Sequence, residues 1–370
     1  ACRMASVYTV ERIRKNLPST ATLLDKMQEA FVSFSKKQVT VANVSHVRFD
    51  AHKEHPGDAC IKTGYVRGAE YFVVKVASGF GKNQEMKPPL SNSQGAMMVF
   101  SQTTGQLVSV LDDCGELTDI RTALAVCVAA RAFAPASVKT IGLVGSGVIA
   151  SLSALMLRRV FPEAGLCVWS RTRAHATKFK AKMEAQGWKS VTVCDSAGGV
   201  KECDLVITAT PSETPVLTQC KKGALVIAVG ADAQGKRELG PDVVRGACMV
   251  CDSKAQCTAF GEAAHAVREG LVKEEGIAEL GVLLTGLQPG QRVDTRALGM
   301  EGKTIVVDLT GVAVQDVVIA TLVLKELQAA PQKAGTSSPT RGSTPPNSGG
   351  KAGQSPLTSP RTKLSPPTKQ

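Results

Sequence analysis

The chain has 370 residues, of which 43% are hydrophobic, so it can bury real cores and is long enough for two domains. Only 4% are aromatic, which argues against a stacking platform for single-stranded nucleic acid. Half of the formal charge of +12 sits in residues 331–370, which carry Lys333, Arg341, Lys351, Arg361, Lys363 and Lys369 and no acid. The mild basic excess that remains suits anionic small molecules and does not demand DNA.

Eleven cysteines are scattered without a disulfide-scaffold rhythm, several inside apolar runs (Cys127, Cys167, Cys194), as expected of reduced thiols in a cytoplasmic protein. Cys248 and Cys251 have C-x-x-C spacing with Cys257 nearby. No second ligand pair follows, so no metal site is expected. No membrane span is expected, and the first residues lack an apolar signal core.

In chain order, residues 7–35 carry two helical patterns separated by Pro18-Ser19-Thr20, which offers a cap to the second. Residues 39–49 and 58–66 look like short strands. Residues 71–77 (YFVVKVA) are a stronger strand, interrupted by Lys75, whose ammonium is expensive there unless it reaches an anion or a cavity. Residues 79–94, punctuated by Gly79, Gly81, Pro88, Pro89 and Asn92, read as a loop expected to shape a substrate pocket. Two strands flank Thr103-Thr104-Gly105 as a hairpin. Thr118 is expected to cap a helix over 119–133, with Arg121 in its first turn.

The organising stretch is residues 141–158, IGLVGSGVIASLSALMLR. A short apolar run meets Gly145-Ser146-Gly147, and a helix-competent segment begins at Val148. Gly145, Gly147 and Ala150 occupy the three places of a G-x-G-x-x-G/A fingerprint. The first glycine permits a sharp turn, the second lets a pyrophosphate approach the backbone, and Ala150 lets helix and strand pack closely. The next apolar run ends, about twenty residues on, at Ser170-Arg171-Thr172, where an acid would read the ribose of NAD. A guanidinium and two hydroxyls suit a 2′-phosphate instead, so NADP is favoured, with NAD the alternative. Further short strands alternate with helical stretches and imply a parallel sheet. Two strand ends, Thr210-Pro211 and Val229-Gly230-Ala231-Asp232 with Lys236 beyond, lie where open α/β sheets bind ligands. A strand over 304–309 and an apolar helix over 312–327 follow. From Pro331 the composition turns to Ser/Thr-Pro repeats at Ser338, Thr344, Ser355, Ser359 and Ser365, a basic tail expected to be disordered and open to proline-directed phosphorylation.

The blocks FVVKVASGF, LTDIRTALA, GLVGSGVIA, VWSRT, ITATPS, VGADAQGKREL, AELGVLLTG and DLTGVAVQD, in that order, resemble the ornithine cyclodeaminase/mu-crystallin family over residues 5–328. The resemblance implies an α/β homodimer. Residues 133–304 would form a Rossmann NAD(P)-binding domain, and residues 1–132 with 305–330 a discontinuous α+β substrate and dimerisation domain. It implies that Lys75 is the active-site lysine, that Arg121 clamps a carboxylate and contacts cofactor, and that Asp232 is the acid–base aspartate, absent from mu-crystallin. It places Gly145, Ser146, Gly147, Val148, Ala150, Ser170, Arg171, Thr172, Thr210, Pro211, Val229, Gly230, Ala231 and Lys236 against the cofactor.

The family's early arginine has no good counterpart, since Arg48 is close but poorly spaced. Lys62, in CIKTGYV, is expected to supply that charge. The expected activity is hydride transfer between the nicotinamide and the Cα of a small imino or amino acid, iminosuccinate reduction being among the branch's reactions. The alternatives are ornithine cyclodeaminase, forming proline and ammonia, and a non-catalytic NADPH-dependent binding protein of mu-crystallin type.

Overall fold

The computed structural model describes residues 4–51 and 54–330; the Ser/Thr-Pro segment lies outside them. The first half of the chain builds a seven-stranded, mostly antiparallel sheet from β1 (Ser6–Thr9), β2 (Val39–Val41), β3 (Ser45–Phe49), β4 (Gly57–Val66), β5 (Tyr71–Gly79), β6 (Ser93–Ser101) and β7 (Leu107–Asp112). The order is β1-β7-β6-β5-β4-β2, with β3 also on β4 and β1 joining β7 in parallel. Residues 7–9, expected to begin a helix, are therefore strand. Helix α1 (Val10–Lys15) starts only after them, because edge pairing with β7 satisfies the backbone of a β-branched and aromatic run. Ser19 does cap α2 (Thr20–Ser35), accepting from the Thr22 amide at 3.1 Å.

Helix α3 (Glu116–Phe133) begins earlier than expected, and Thr118 is not its cap. Gly115 precedes it with φ +82°, and the buried Asp113 carboxylate accepts from the Leu117 amide at 2.8 Å and the Gly115 amide at 3.3 Å. A carboxylate at a helix start meets free N–H groups and the positive end of the helix dipole, so it outcompetes a hydroxyl one turn on. Most of α3 is buried, as its Ala-rich sequence permits.

The second sheet is wholly parallel: β8 (Thr140–Val144), β9 (Gly165–Trp169), β10 (Val191–Val193), β11 (Leu205–Thr208), β12 (Leu225–Ala228), β13 (Cys248–Cys251), β14 (Ala278–Glu279) and β15 (Ile305–Asp308). Its order, β10-β9-β8-β11-β12-β15-β13-β14, reverses direction between β8 and β11. That reversal is the switch point at which doubly wound sheets bind ligands. The central strands are buried on both faces, hence their continuous Val/Leu/Ile runs. Helix α4 (Val148–Val160) follows β8 and packs on α3; α5 (Arg173–Ala185) follows β9. Short helices α6 (Pro241–Val244), α7 (Lys254–Phe260), α8 (Glu262–Arg268) and α9 (Leu280–Leu283) fill the later connections.

Strand β15 sits between β12 and β13, inside the parallel sheet. A division at residue 304 would cut that strand out of its sheet, so the boundary moves beyond Asp308. The chain then returns through α10 (Ala313–Ala329), which packs on α2, α3 and strands β4 and β5. The fold is α/β, a Rossmann-type parallel sheet beside a second, mainly antiparallel layer. No helix among the described residues is long and apolar enough to cross a membrane.

Candidate active site

At the carboxyl end of β8, Gly145 has φ +111°, and a Cβ there would stand 2.5 Å from the Ala209 carbonyl oxygen. Only glycine closes this turn. At Gly147 a Cβ would meet nothing within 4 Å, and the start of α4 behind it has no side-chain cap. Open space before free amides is what a pyrophosphate needs, so the residues present fit a dinucleotide.

A cavity of about 790 Å³ opens there. Of the expected cofactor residues, Gly145, Ser146, Gly147, Val148, Ser170, Arg171, Thr172, Thr210 and Pro211 line it. Arg121, Ala150, Val229, Gly230, Ala231 and Lys236 are not in its wall. Ala150 is buried, and Lys236 turns to Asp232 instead. Two groups of lining residues were missed by sequence reasoning. Gln84, Ser91, Asn92 and Ser93 put part of the 79–94 loop against this cavity. His175, Lys178 and Lys182 present a basic face of α5 at helical spacing. With Arg171 they make the lining cationic, and it contains no acid.

Where α10 meets β4, β5 and α3, the structure gathers charges that burial should forbid. Lys62 and Lys75 are direct cross-strand partners on β4 and β5 and are 4% and 1% exposed. Arg121 on α3 is also buried, and all three approach the start of α10. The buried Asp316 carboxylate lies 3.5 Å from Lys75 Nζ and 3.2 Å from Arg121 Nε, and Arg121 Nη1 donates to Gln315 Oε1 at 2.8 Å. Neither Asp316 oxygen has a well-formed hydrogen bond, and Gln315 Nε2 is also unpartnered. Burial draws the Lys75 ammonium down to about 8; Asp316 opposes that shift, while Arg121 and Lys62 add to it. Sequence reasoning missed Asp316. Its signal was an acid in the first turn of an otherwise apolar helix.

Lys62 is differently engaged from Lys75. Its ammonium donates to the carbonyls of Thr310 (3.2 Å) and Gly311 (2.5 Å). That loop is fixed from behind by Asp252, which accepts from the Thr310 and Gly311 amides at 3.2 and 2.7 Å. Gly311 has φ +80°, and a Cβ on it would stand 2.5 Å from Arg121 Nη1. Arg48, by contrast, is exposed on β3.

Asp232 follows β12 and is half exposed, with its carboxylate 2.6 Å from Lys236 Nζ. Surrounding protein would raise its carboxyl, but the Lys236 ion pair, with the fields of Lys62 and Arg121, holds it below the usual carboxylate range. It is therefore an anion at neutral pH. A second acid, Glu238, also escaped the sequence reading. Buried, it accepts from Thr208 Oγ1 (2.7 Å), the Thr210 amide (2.6 Å) and the Gly230 amide (2.8 Å), tying together the ends of β11 and β12. The C-x-x-C pair does not converge. It is Cys251, Cys257 and Asp308, all buried, whose donor atoms lie within 4.8 Å of one another.

A family profile described as ornithine cyclodeaminase/mu-crystallin matches residues 3–330. A Rhizobium meliloti protein with a provisional dehydrogenase name is 33% identical over 328 residues, spanning 88% of this chain and 96% of its own. Among solved structures, an archaeal alanine dehydrogenase dimer with bound NAD superposes with a TM-score of 0.76 at 26% identity, covering 88% of this chain and 96% of that one. The iminosuccinate reductase of Paracoccus denitrificans in complex with NAD+ gives 0.74 at 25%, covering 88% and 97%.

Proposed function

The chain belongs to the ornithine cyclodeaminase/mu-crystallin family and is an NAD(P)-dependent enzyme of it; from that premise we propose that it reduces the Cα of a small imino acid, with NADPH as the preferred donor. The observation that carries this reading is the buried Lys75–Asp316–Arg121 cluster. Two cations held by one carboxylate, beside an unpartnered Gln315 amide, retain capacity for a second carboxylate, that of the substrate.

In this reading Arg121 and Lys75 grip the substrate carboxylate and fix the Cα, which lowers the entropic part of the barrier. Lys62 holds the Thr310-Gly311 loop against which Arg121 rests. Asp232, being ionised, hydrogen-bonds the protonated imine nitrogen and takes the amine proton in the oxidative direction. Lys75, with an ionisation near working pH, is suited to exchange a proton as well as to bind. Gly145, Ser146, Gly147 and Val148 would hold the phosphates of a dinucleotide and Ser170, Arg171 and Thr172 its ribose, and the dinucleotide would supply the hydride. The acid-free, cationic lining supports NADPH over NADH. Thr210 and Pro211 line the same cavity, while Val229, Gly230, Ala231 and Lys236 follow the neighbouring strand β12.

We assign residues up to about 132 and those after Asp308 to the substrate and dimer-forming part, and the parallel sheet between them to dinucleotide binding. A homodimer in the cytoplasm is the expected working form. Asp232 favours turnover over a purely ligand-binding role. The deciding experiment is a panel of 2-oxo acids with ammonia, and of cyclic imines, each with NADPH and NADH, followed by nicotinamide absorbance. Proline from ornithine without net cofactor reduction would select the cyclodeaminase reading instead. Binding of NADPH without turnover of any imino acid would select the binding-protein reading.

A further inference from the structure

Three thiols, Cys167, Cys194 and Cys203, collect on one face of the parallel sheet, apart from every residue given a role above. Cys167 lies on β9 two residues before Trp169, so the strand's period of two points both side chains to the same face. Trp169 lines the dinucleotide cavity. Directly opposite Cys167 in the β8–β9 register is Gly142. A Cβ on Gly142 would stand 2.7 Å from Val200 Cβ and 3.2 Å from Cys203 Sγ, so the missing side chain is the space that Cys203 occupies. The Cys203 thiol thus leans over β8 toward Cys167 on the neighbouring strand.

A second glycine clears room for the third thiol. A Cβ on Gly199 would meet Cys194 Cβ at 2.7 Å and Sγ at 3.0 Å. Cys194 is held beside β9 by its amide, which donates to the Val168 carbonyl at 2.8 Å, one residue from Cys167. Cys203 is buried, whereas Cys167 and Cys194 are partly exposed, and all are free thiols. The neighbouring Cys203 thiol holds Cys167 below its usual range, although burial works the other way, and Cys203 is pushed up by Cys167 and by burial. A thiolate-rich, reachable sulfur beside a protonated one is the arrangement of a peroxide-reactive cysteine with its resolving partner.

We propose that Cys167 is a site of reversible oxidation by hydroperoxides and that Cys203 resolves it as an intramolecular disulfide. The Cys167 thiolate attacks a peroxide oxygen; the O–O bond breaks, a sulfenic acid forms and the other oxygen leaves as water or the corresponding alcohol. The Cys203 sulfur then attacks the sulfenyl sulfur; the S–O bond breaks, the S–S bond forms, and water departs with the Cys203 proton. Two electrons pass from the two thiols to the peroxide. The product fastens the β8–β9 surface to the 200–204 turn directly below Trp169.

The test is peptide mapping of the full chain after brief exposure to hydrogen peroxide and alkylation of the remaining thiols. The expected product is a Cys167–Cys203 linked peptide lighter by two hydrogens and restored by dithiothreitol. Cys203→Ser should leave a sulfenic acid on Cys167 that dimedone captures, while Cys167→Ser should leave Cys203 reduced. Both variants should keep the wild-type circular dichroism spectrum, since serine is close in size to cysteine. Oxidation of Cys60, Cys114 or Cys248 with Cys167 still reduced would overturn the proposal. A Cys167–Cys194 link as the sole product would overturn the assignment of Cys203.

Discussion

The Asp316 carboxylate stands 3.5 Å from the Lys75 ammonium at the start of α10, and its other oxygen stands 3.2 Å from Arg121. One residue on the last helix thereby faces the cations delivered by β5 and α3 and opposes the loss of charge that burial imposes on Lys75. Asp316→Asn leaves those cations buried without their anion, which should cost about 3–5 kcal/mol of stability. It also removes the group that raises the Lys75 ionisation, so the alkaline limb of the pH–rate profile, near 8 in the parent, should move to lower pH. A small carboxylate such as acetate should raise the melting temperature of the variant more than that of the parent. An unmoved alkaline limb would show that Asp316 does not act through Lys75.

The same lysine predicts how stability depends on pH. Its ionisation in the folded chain, at about 8, lies below the usual lysine value of 10.5, so between those values the unfolded chain binds more protons. The contribution of Lys75 therefore favours the folded state increasingly as pH rises through that window. Lys75→Met removes the dependence, and urea unfolding of parent and variant at pH 7.5 and 10, with both pH values taken as about those limits, should show the parent alone gaining the Lys75 increment.

Asp232→Asn should bind NADPH as the parent does and lose turnover by about a hundredfold or more, the size expected when a proton-transfer group is removed. The change also releases Lys236 from its 2.6 Å ion pair. That pair is half open to solvent, so the melting temperature should change little. Stopped-flow binding of NADPH separates the two steps, and parent-like turnover would remove Asp232 from the chemistry.

Local backbone requirements were legible in the sequence. Gly145, Gly147 and Ala150 announce the turn and helix they make because their spacing falls within one βα unit: Gly145 has φ +111°, Gly147 faces open space and Ala150 is buried in α4. Lys75 was legible as a cost, since an ammonium within YFVVKVA demands an anion somewhere. What the sequence could not disclose was the anion's identity. Asp316 lies in α10, and only packing of that helix on β4 and β5 carries it there. Glu238 was hidden for the same reason, its three partners coming from two other strand ends. Thr118 failed as a cap because the competing Asp113 lay outside the helical pattern. The α5 lysines carry no distinguishing pattern in the sequence, and only the cavity wall that runs along them marks them out.

That wall yields a cofactor prediction. Lys178 lines the same cavity as Arg171 and Thr172, where a 2′-phosphate would lie. Arg171→Ala should weaken NADPH binding by about ten- to a hundredfold, from the loss of about 1.5–3 kcal/mol for a hydrogen bond to a charged group. Lys178→Ala should weaken it less, and both should leave NADH nearly unaffected. Titration of each variant with the two cofactors reads this directly. Equal losses for NADH and NADPH would mean that these residues serve the adenosine rather than its phosphate.

Gly311 offers the most local perturbation of the proposed carboxylate clamp. With φ +80°, an alanine there costs about 1–2 kcal/mol in backbone strain alone. Its Cβ would also stand 2.5 Å from Arg121 Nη1 and 3.2 Å from Lys62 Nζ. Both contacts are the ends of flexible side chains, so the chain should fold and the guanidinium should be the part that yields. Gly311→Ala is then expected to raise KM for the imino acid about tenfold, equivalent to 1.4 kcal/mol, while NADPH affinity stays at the parent value because Arg121 is not in the dinucleotide cavity wall. If NADPH affinity falls in step with KM instead, Arg121 serves the cofactor, and the carboxylate must be held by Lys75 alone.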